Sequence, residues 1–221
     1  IRKMAEKCSI YFKKRVVNIN LNDKIVFYED GQTLKYETLI STLPINQVIK
    51  MAGIEAGTPD PYTSVLVINI GAVKGERCPD YQWLYIPESK AGFHRVGFYS
   101  NVDKSFLPLS SREDGNKVSI YVELAYKGGQ KPSHDEINKL CSNVVNELKE
   151  WSFISDVEVV DATWVDVAYA WKYPNSEWKE RAMRILEDNK IYQVGRYGQW
   201  KSQGLVDSMK DGINIRSKLN I

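Results

Sequence analysis

Ile191-Tyr192-Gln193-Val194-Gly195-Arg196-Tyr197-Gly198-Gln199-Trp200-Lys201-Ser202-Gln203-Gly204-Leu205-Val206-Asp207-Ser208-Met209 reads as a short apolar strand that runs into two glycines bracketing an arginine, with a helix opening at Gly204. Glycine lets a backbone approach a ligand closely, and a helix N-terminus offers unpaired N–H groups to an anion or to the polar edge of a ring. Strand, glycine turn and helix start together outline a cofactor cradle. On spacing alone the same run is also an ordinary strand, turn and helix whose glycines serve the turn.

The segments before it alternate between strand and helix patterns. Tyr173-Pro174-Asn175-Ser176 precedes a helix with Trp178, Ala182, Ile185 and Leu186 on one stripe, and β-branched and aromatic residues predict two strands over 157–160 and 162–170. Ser133 and Glu136 form a Ser-x-x-Glu capping box at the start of a helix whose Ile137, Leu140, Cys141, Val144, Val145, Leu148 and Trp151 share one face. Cys141 reads there as core, and His134 as an exposed residue of the first turn. Strands over 64–73, 82–86, 93–100 and 118–124, joined by short links, favour an antiparallel sheet that begins after the loop Gly57-Thr58-Pro59-Asp60-Pro61. Earlier still, Val17, Ile19 and Leu21 alternate on one face, and Asp30-Gly31 between two strand-like runs signals a hairpin, so a three-stranded meander is expected. A strand over 38–44 stops at Pro44, and a helix over 46–52 ends at Gly53. Residues 1–14 are basic and weakly patterned, while the last helix carries Leu205, Met209 and Ile213 on one side, with Met209 read as core.

A chain of 221 residues with 43% hydrophobic content can bury one good core or two small ones. No apolar run approaches the roughly 18 residues of a membrane span, and the chain is read as cytoplasmic. A net charge of +2, with basic residues scattered among acids, disfavours nucleic acid as a partner. Cys8, Cys78 and Cys141 are far apart and only His94 and His134 could join them, so reduced thiols and no metal site are expected. Nucleophile-elbow, P-loop and His-Glu-x-x-His motifs are missing, which disfavours hydrolysis and nominates no catalytic side chain. A Gly-x-Gly-x-x-Gly pyrophosphate fingerprint is missing too, and with Ile1 as the first residue the chain is expected to be part of a longer protein.

The other informative segment is Gln82-Trp83-Leu84-Tyr85-Ile86-Pro87 followed by Phe93-His94-Arg95-Val96-Gly97-Phe98-Tyr99-Ser100-Asn101. Alternation puts Trp83 and Tyr85 on one strand face, and a hairpin loop over 88–92 would return Arg95 beside them. An arginine fork, a phenol hydroxyl and an indole wall suit a phosphate attached to a flat base or a sugar. The plainer alternative pairs Arg95 with a neighbouring acid and leaves Trp83 and Tyr85 covering core or sheet.

Gly195-Arg196-Tyr197-Gly198-Gln199-Trp200 followed by the Gly204-Leu205-Val206-Asp207-Ser208 helix start resembles the C-terminal flavin-contacting segment of the flavin amine-oxidase superfamily. The resemblance is greatest to its branch of UDP-galactopyranose mutases and protoporphyrinogen-oxidase-like proteins. It implies FAD as cofactor, with Gly195 and Arg196 beside it, Gly204, Leu205 and Val206 at a helix start aimed at the flavin ring, and Thr42 and Pro44 nearby. Trp83 to Glu88 and Phe93 to Asn101 are similar to segments of eukaryote-type galactopyranose mutases. That similarity implies that Tyr85 and Arg95 hold a substrate diphosphate, with Trp83 beside them and Tyr173 and Trp200 also facing substrate. Ser202 departs from the mutases, which carry there a tyrosine that reaches the phosphate, and this tells against the mutase reaction itself. The fold implied is α/β with α+β character: part of an FAD-binding dinucleotide fold over 1–57 and 171–221, and an antiparallel substrate-binding sheet with packed helices over 58–170. The function implied is that of an FAD-dependent oxidoreductase or mutase-like isomerase acting on a phosphate-bearing small molecule, a nucleotide sugar among the candidates. The N-terminal FAD half would be its partner, and this segment by itself would be inactive. An amine-oxidase-like flavoprotein with an unphosphorylated substrate, and a non-enzymatic module binding a sugar nucleotide or a protein, are the alternatives.

Overall fold

The computed structural model describes residues 2–219. They form two compact units: Tyr62–Tyr169, and the flanks Ile1–Pro61 with Ala170–Ile221. In chain order the first flank holds helix α1 (Arg2–Ala5), strands β1 (Val16–Asn20), β2 (Ile25–Tyr28), β3 (Thr33–Lys35) and β4 (Leu39–Ser41), and helix α2 (Ile45–Met51). The central segment follows with β5 (Tyr62–Lys74), β6 (Trp83–Tyr85), β7 (Arg95–Phe98), α3 (Tyr99–Val102), 3-10 turns at Lys104–Phe106 and Leu109–Ser111, β8 (Lys117–Lys127), α4 (His134–Glu150) and β9 (Ile154–Ala170). The second flank holds α5 (Trp178–Asp188), β10 (Ile191–Gln193), α6 (Gly195–Gly198) and α7 (Leu205–Leu219). This is a mixed α/β chain with antiparallel sheets and packed helices, as expected.

The central unit is a five-stranded sheet in the order β6-β7-β8-β5-β9. Its spine is the antiparallel pair β5 and β8, in register from Thr63 opposite Lys127 to Val73 opposite Lys117. Alternation sends Leu66, Ile68, Ile70, Val96, Phe98, Val118, Ile120 and Val122 to one face, where Val144 and Leu148 of α4 close the core over them. The capping box forms: Ser133 Oγ accepts from the Glu136 N–H, and the Glu136 carboxylate accepts from the Ser133 N–H at 2.7 Å. Ile137, Leu140, Cys141, Val145 and Trp151 pack on the same core, and burial pushes the Cys141 thiol pKa up. His134 is exposed.

Two expectations change here. The strand expected over 93–100 ends at Phe98, where the chain coils into the single turn of α3. The two strands expected over 157–170 are one, β9, because only Asp161 separates them and no glycine or proline breaks the run.

In the flanks, β1, β2 and β3 make the meander in that order, with Gly31 in the left-handed region (φ 80°) at the tip of the second hairpin. The face shared by Val17, Ile19 and Leu21 does not form. A bulge between Val16 and Asn18 turns Val17 out to solvent, leaving Ile19 as the buried residue of β1, and Leu21 lies past the strand end. β4 and β10 pair in parallel, Leu39 to Ser41 against Ile191 to Gln193. Trp178, Ala182 and Leu186 of α5 are buried as their stripe predicts. The last helix corrects the reading of its apolar side: Leu205, Met209 and Ile213 are exposed, Met209 by 50%, because no described element packs over them. Among the described residues no helix is long and apolar enough to cross a membrane.

Candidate functional site

Strand register builds a side-chain row on the face of the central sheet turned away from α4. Tyr85 stands opposite Arg95 across β6 and β7, and Arg95 opposite Glu123 across β7 and β8. One pair along, Trp83 faces Gly97 and Gly97 faces Tyr121. Leu84, Val96 and Val122 alternate with them on the core side. Trp83 and Tyr85 are 51% and 67% exposed. A Cβ on Gly97 would fall inside the Tyr121 ring, so glycine is what lets that ring lie across β7. The Arg95 guanidinium rides 5.6 Å from the Tyr121 centroid, Tyr99 lies 4.5 Å from Tyr121, and Phe106 stacks on Tyr99 at 5.0 Å.

Arg95 Nη2 donates to Oε1 of Glu123, which is 7% exposed. Burial opposes the arginine charge, and the hydrogen bond and charge of Glu123 outweigh it, so the Arg95 pKa is raised. Burial also pushes the Tyr121 and Tyr99 hydroxyl pKa values up. Arg95 Nε and Glu123 Oε2 are buried and make no hydrogen bond among the described residues; His94 Nε2 lies 3.7 Å from Oε2.

The scaffold of this row is itself pinned. Buried Glu147 of α4 accepts from Ser89 Oγ (2.8 Å), the Lys90 N–H (2.9 Å) and the Ala91 N–H (2.8 Å), fastening the loop between β6 and β7. Asn101 donates to the carbonyls of Pro79 and Tyr81, both at 2.9 Å, fixing the entry to β6. The result is an exposed phenol and indole beside an arginine with a fixed fork, an arrangement able to grip an anion next to a flat or sugar ring.

The flanking unit holds the residues assigned to the cofactor. β4 and β10 end at one edge, and the Val194 N–H donates to the Ser41 carbonyl at 2.9 Å, so exposed Thr42 and the Gly195 turn both leave the carboxyl ends of adjacent parallel strands. Pro44 is half-buried and caps α2. Gly195 has φ 77° and open space where a Cβ would stand, while a Cβ on Gly198 would crowd Gln193 Oε1 at 2.8 Å and the Ser41 carbonyl at 3.1 Å. Arg196 is half-buried with its guanidinium 5.7 Å from the Tyr197 ring. Asp211 accepts from the Gly195 N–H (3.1 Å), Gln203 Nε2 (3.1 Å) and Lys201 Nζ (3.4 Å), tying the turn to α7. Burial pushes its carboxyl pKa up, but those hydrogen bonds and the Lys201 charge prevail and hold it below the ordinary carboxylate value. At the start of α7 the Gly204 N–H donates to Asp207 Oδ2 at 3.2 Å, and Leu205 and Val206 are exposed.

Two residues expected at substrate lie in this unit. Tyr173 is exposed, with its N–H on Asp60 Oδ1 at 3.2 Å. Trp200 is 4% exposed, packs edge-on against Trp178 at 5.5 Å and donates Nε1 to the Trp171 carbonyl at 3.1 Å, so its ring is committed to the core of this unit. Ser202 is exposed.

Sequence reading did not nominate Glu123, Tyr121, Tyr99, Glu147 or Asp211. Alternation in Tyr121-Val122-Glu123 places two of them on one face, yet only the pairing register puts that face beside Arg95. No disulfide joins Cys8, Cys78 or Cys141 to one another, and among the described residues no cluster of three or more His, Cys, Asp or Glu side chains could hold a metal ion.

No protein-family model matches the chain. Among solved structures the chain is similar to a reduced UDP-galactopyranose mutase, with a TM-score of 0.75 and 22% identity over 98% of this chain and 48% of that one. It is also similar to a protoporphyrinogen-oxidase-like protein of Exiguobacterium (TM-score 0.67, 11% identity, 99% and 49%). A fatty acid isomerase from P. acnes follows at a TM-score of 0.55 and 10% identity, covering 94% and 48%. These likenesses establish a shared fold, and the chain spans about half the length of each of those proteins.

Proposed function

We propose that this chain is the C-terminal half of an FAD-dependent enzyme, an oxidoreductase or mutase-like isomerase, whose substrate carries a phosphate and belongs among the nucleotide sugars. The observation that carries the reading is the shared carboxyl edge of β4 and β10, the place where ligands of parallel sheets bind. The residues there fit the cofactor: a left-handed Gly195 with open space above it, half-buried Arg196, exposed Thr42, and an exposed apolar helix start at Leu205 and Val206 that suits a flat ring. Bound FAD would supply two-electron chemistry at its ring, while the chain's own side chains bind and orient the substrate. A parallel sheet of two short strands is too small to stand alone, which agrees with a chain covering half the length of its structural neighbours.

The substrate part of the reading rests on Tyr85 opposite Arg95 with Trp83 beside them. Ser202 weighs toward oxidoreductase chemistry over the mutase reaction. The non-enzymatic binding module is the second reading, and it rests on the exposed Trp83 and Tyr85 beside Arg95.

The test is the visible absorption spectrum of the full-length gene product. Oxidised-flavin bands that weaken in Arg196→Ala support the assignment, and Arg95→Ala should weaken pyrophosphate binding with flavin retained. A protein that stays colourless after incubation with FAD overturns it and leaves the binding module.

A further inference from the structure

We propose that Glu123 is the positioning residue of the phosphate site: it holds the Arg95 fork in one orientation before ligand arrives. The inference rests on the phosphate reading of Tyr85 and Arg95 given above. An arginine side chain has many rotamers, and an unrestrained one on a sheet face would lose that freedom on binding. Here that freedom is already spent. Glu123 is the direct cross-strand partner of Arg95, its Oε1 takes Nη2, and the Tyr121 ring supports the guanidinium at 5.6 Å because Gly97 leaves room for it.

Neither affinity by charge nor fold stability accounts for a carboxylate in this place. Beside an anion site it cancels the charge that attracts the ligand, and a buried ion pair adds little stability over well-packed apolar side chains. The pair is also incompletely satisfied, since Arg95 Nε and Glu123 Oε2 are buried without hydrogen bonds among the described residues. Such loose ends are costly and gather where function requires them. What the carboxylate contributes is direction: it takes Nη2 across the strand pair, and with Nε buried the Nη1 side of the fork is what it turns toward a ligand lodged beside Tyr85.

The experiment is calorimetric titration of inorganic pyrophosphate into the full-length gene product and its Glu123→Ala, Glu123→Leu, Glu123→Gln, Arg95→Ala and Arg95→Ala/Glu123→Ala variants, each with a thermal melt. Losing an acceptor to a charged donor should weaken pyrophosphate binding about tenfold or more in Glu123→Ala, close to the loss in Arg95→Ala, with the double variant no weaker than Arg95→Ala alone. Glu123→Leu fills the space and carries the same expectation should Glu123→Ala not fold. Glu123→Gln keeps the acceptor while removing the negative charge, so it should bind at least as tightly as the parent. A lowered melting temperature with unchanged pyrophosphate affinity in Glu123→Ala, or in Glu123→Leu, overturns the positioning role and leaves the phosphate reading standing. Glu123→Gln as weak as Glu123→Ala overturns it as well. A parent protein that does not bind pyrophosphate, or binds it no better than Arg95→Ala, removes the phosphate reading and this inference together.

Discussion

The central unit and the flanks solve the same problem with unequal success. Between Tyr62 and Tyr169 a sheet of long strands meets its own helix, and both surrender their apolar faces to one core. The flanks offer strands of three to five residues and a helix, α7, with no buried residue at all. Ile40 in β4, Leu43 just past it, and Leu205, Val206, Met209 and Ile213 on α7 stand in solvent. Burial of apolar surface is what drives folding, and the first region buries its apolar faces within itself while the second leaves several of its own in solvent.

That contrast can be broken most easily at its strong end. Phe93 is fully buried and meets Trp151 edge-on at 5.5 Å, so Phe93→Ala should cost about 3–5 kcal/mol, read as a fall in the denaturant midpoint. A loss under about 1 kcal/mol would mean that the core is not as closed as described. Glu147→Ala should cost about 1–3 kcal/mol by leaving the buried Ala91 N–H and the part-buried Lys90 N–H unpaired, and it should speed hydrogen exchange at Lys90 and Ala91 specifically. In the flanks, the pKa of Asp211 is lowered in the folded state, so its stabilising share is full above the ordinary carboxylate range and is lost as pH falls through the folded value. Asp211→Asn should therefore flatten the acid side of a stability-against-pH curve measured in urea. The smallest effect belongs to Met209→Ser, within about 0.5 kcal/mol in this chain, because an exposed side chain loses no packing. A larger loss in a longer form of the protein would sharpen the comparison by showing α7 covered there.

Local signals carried most of the architecture. The Ser133 and Glu136 cap, the stripe of α4, the Asp30-Gly31 turn and the proline ending at Pro44 each act within a few residues, and each element stands close to where those signals put it. What failed depended on partners. Val17 was misplaced by one extra residue against β2, and the apolar side of α7 reads as core in sequence because periodicity reports an amphipathic helix without saying what it packs on. The same limit divides the candidate site. Tyr85 and Arg95 were legible because a single hairpin joins them, whereas Glu123 lies on β8, beyond α3 and both 3-10 turns, and enters only through pairing. Trp200 shows the reverse: its motif points to substrate, but its indole N–H is already spent on the Trp171 carbonyl.

The parallel pairing of β4 with β10 has a consequence for how the chain folds. Ser41 and Ile191 are separated by the whole central unit, and closing so long a loop in an unfolded chain carries an entropic penalty that grows with its length. A folded central unit shortens that loop, because its two ends are already side by side: Ser64 Oγ donates to the Asp166 carbonyl at 2.5 Å, and the Trp171 N–H to the Pro61 carbonyl at 2.9 Å. Loop closure therefore favours an order in which the inserted sheet forms first and β4 and β10 pair afterwards, so a mutation that slows the sheet should delay that pairing.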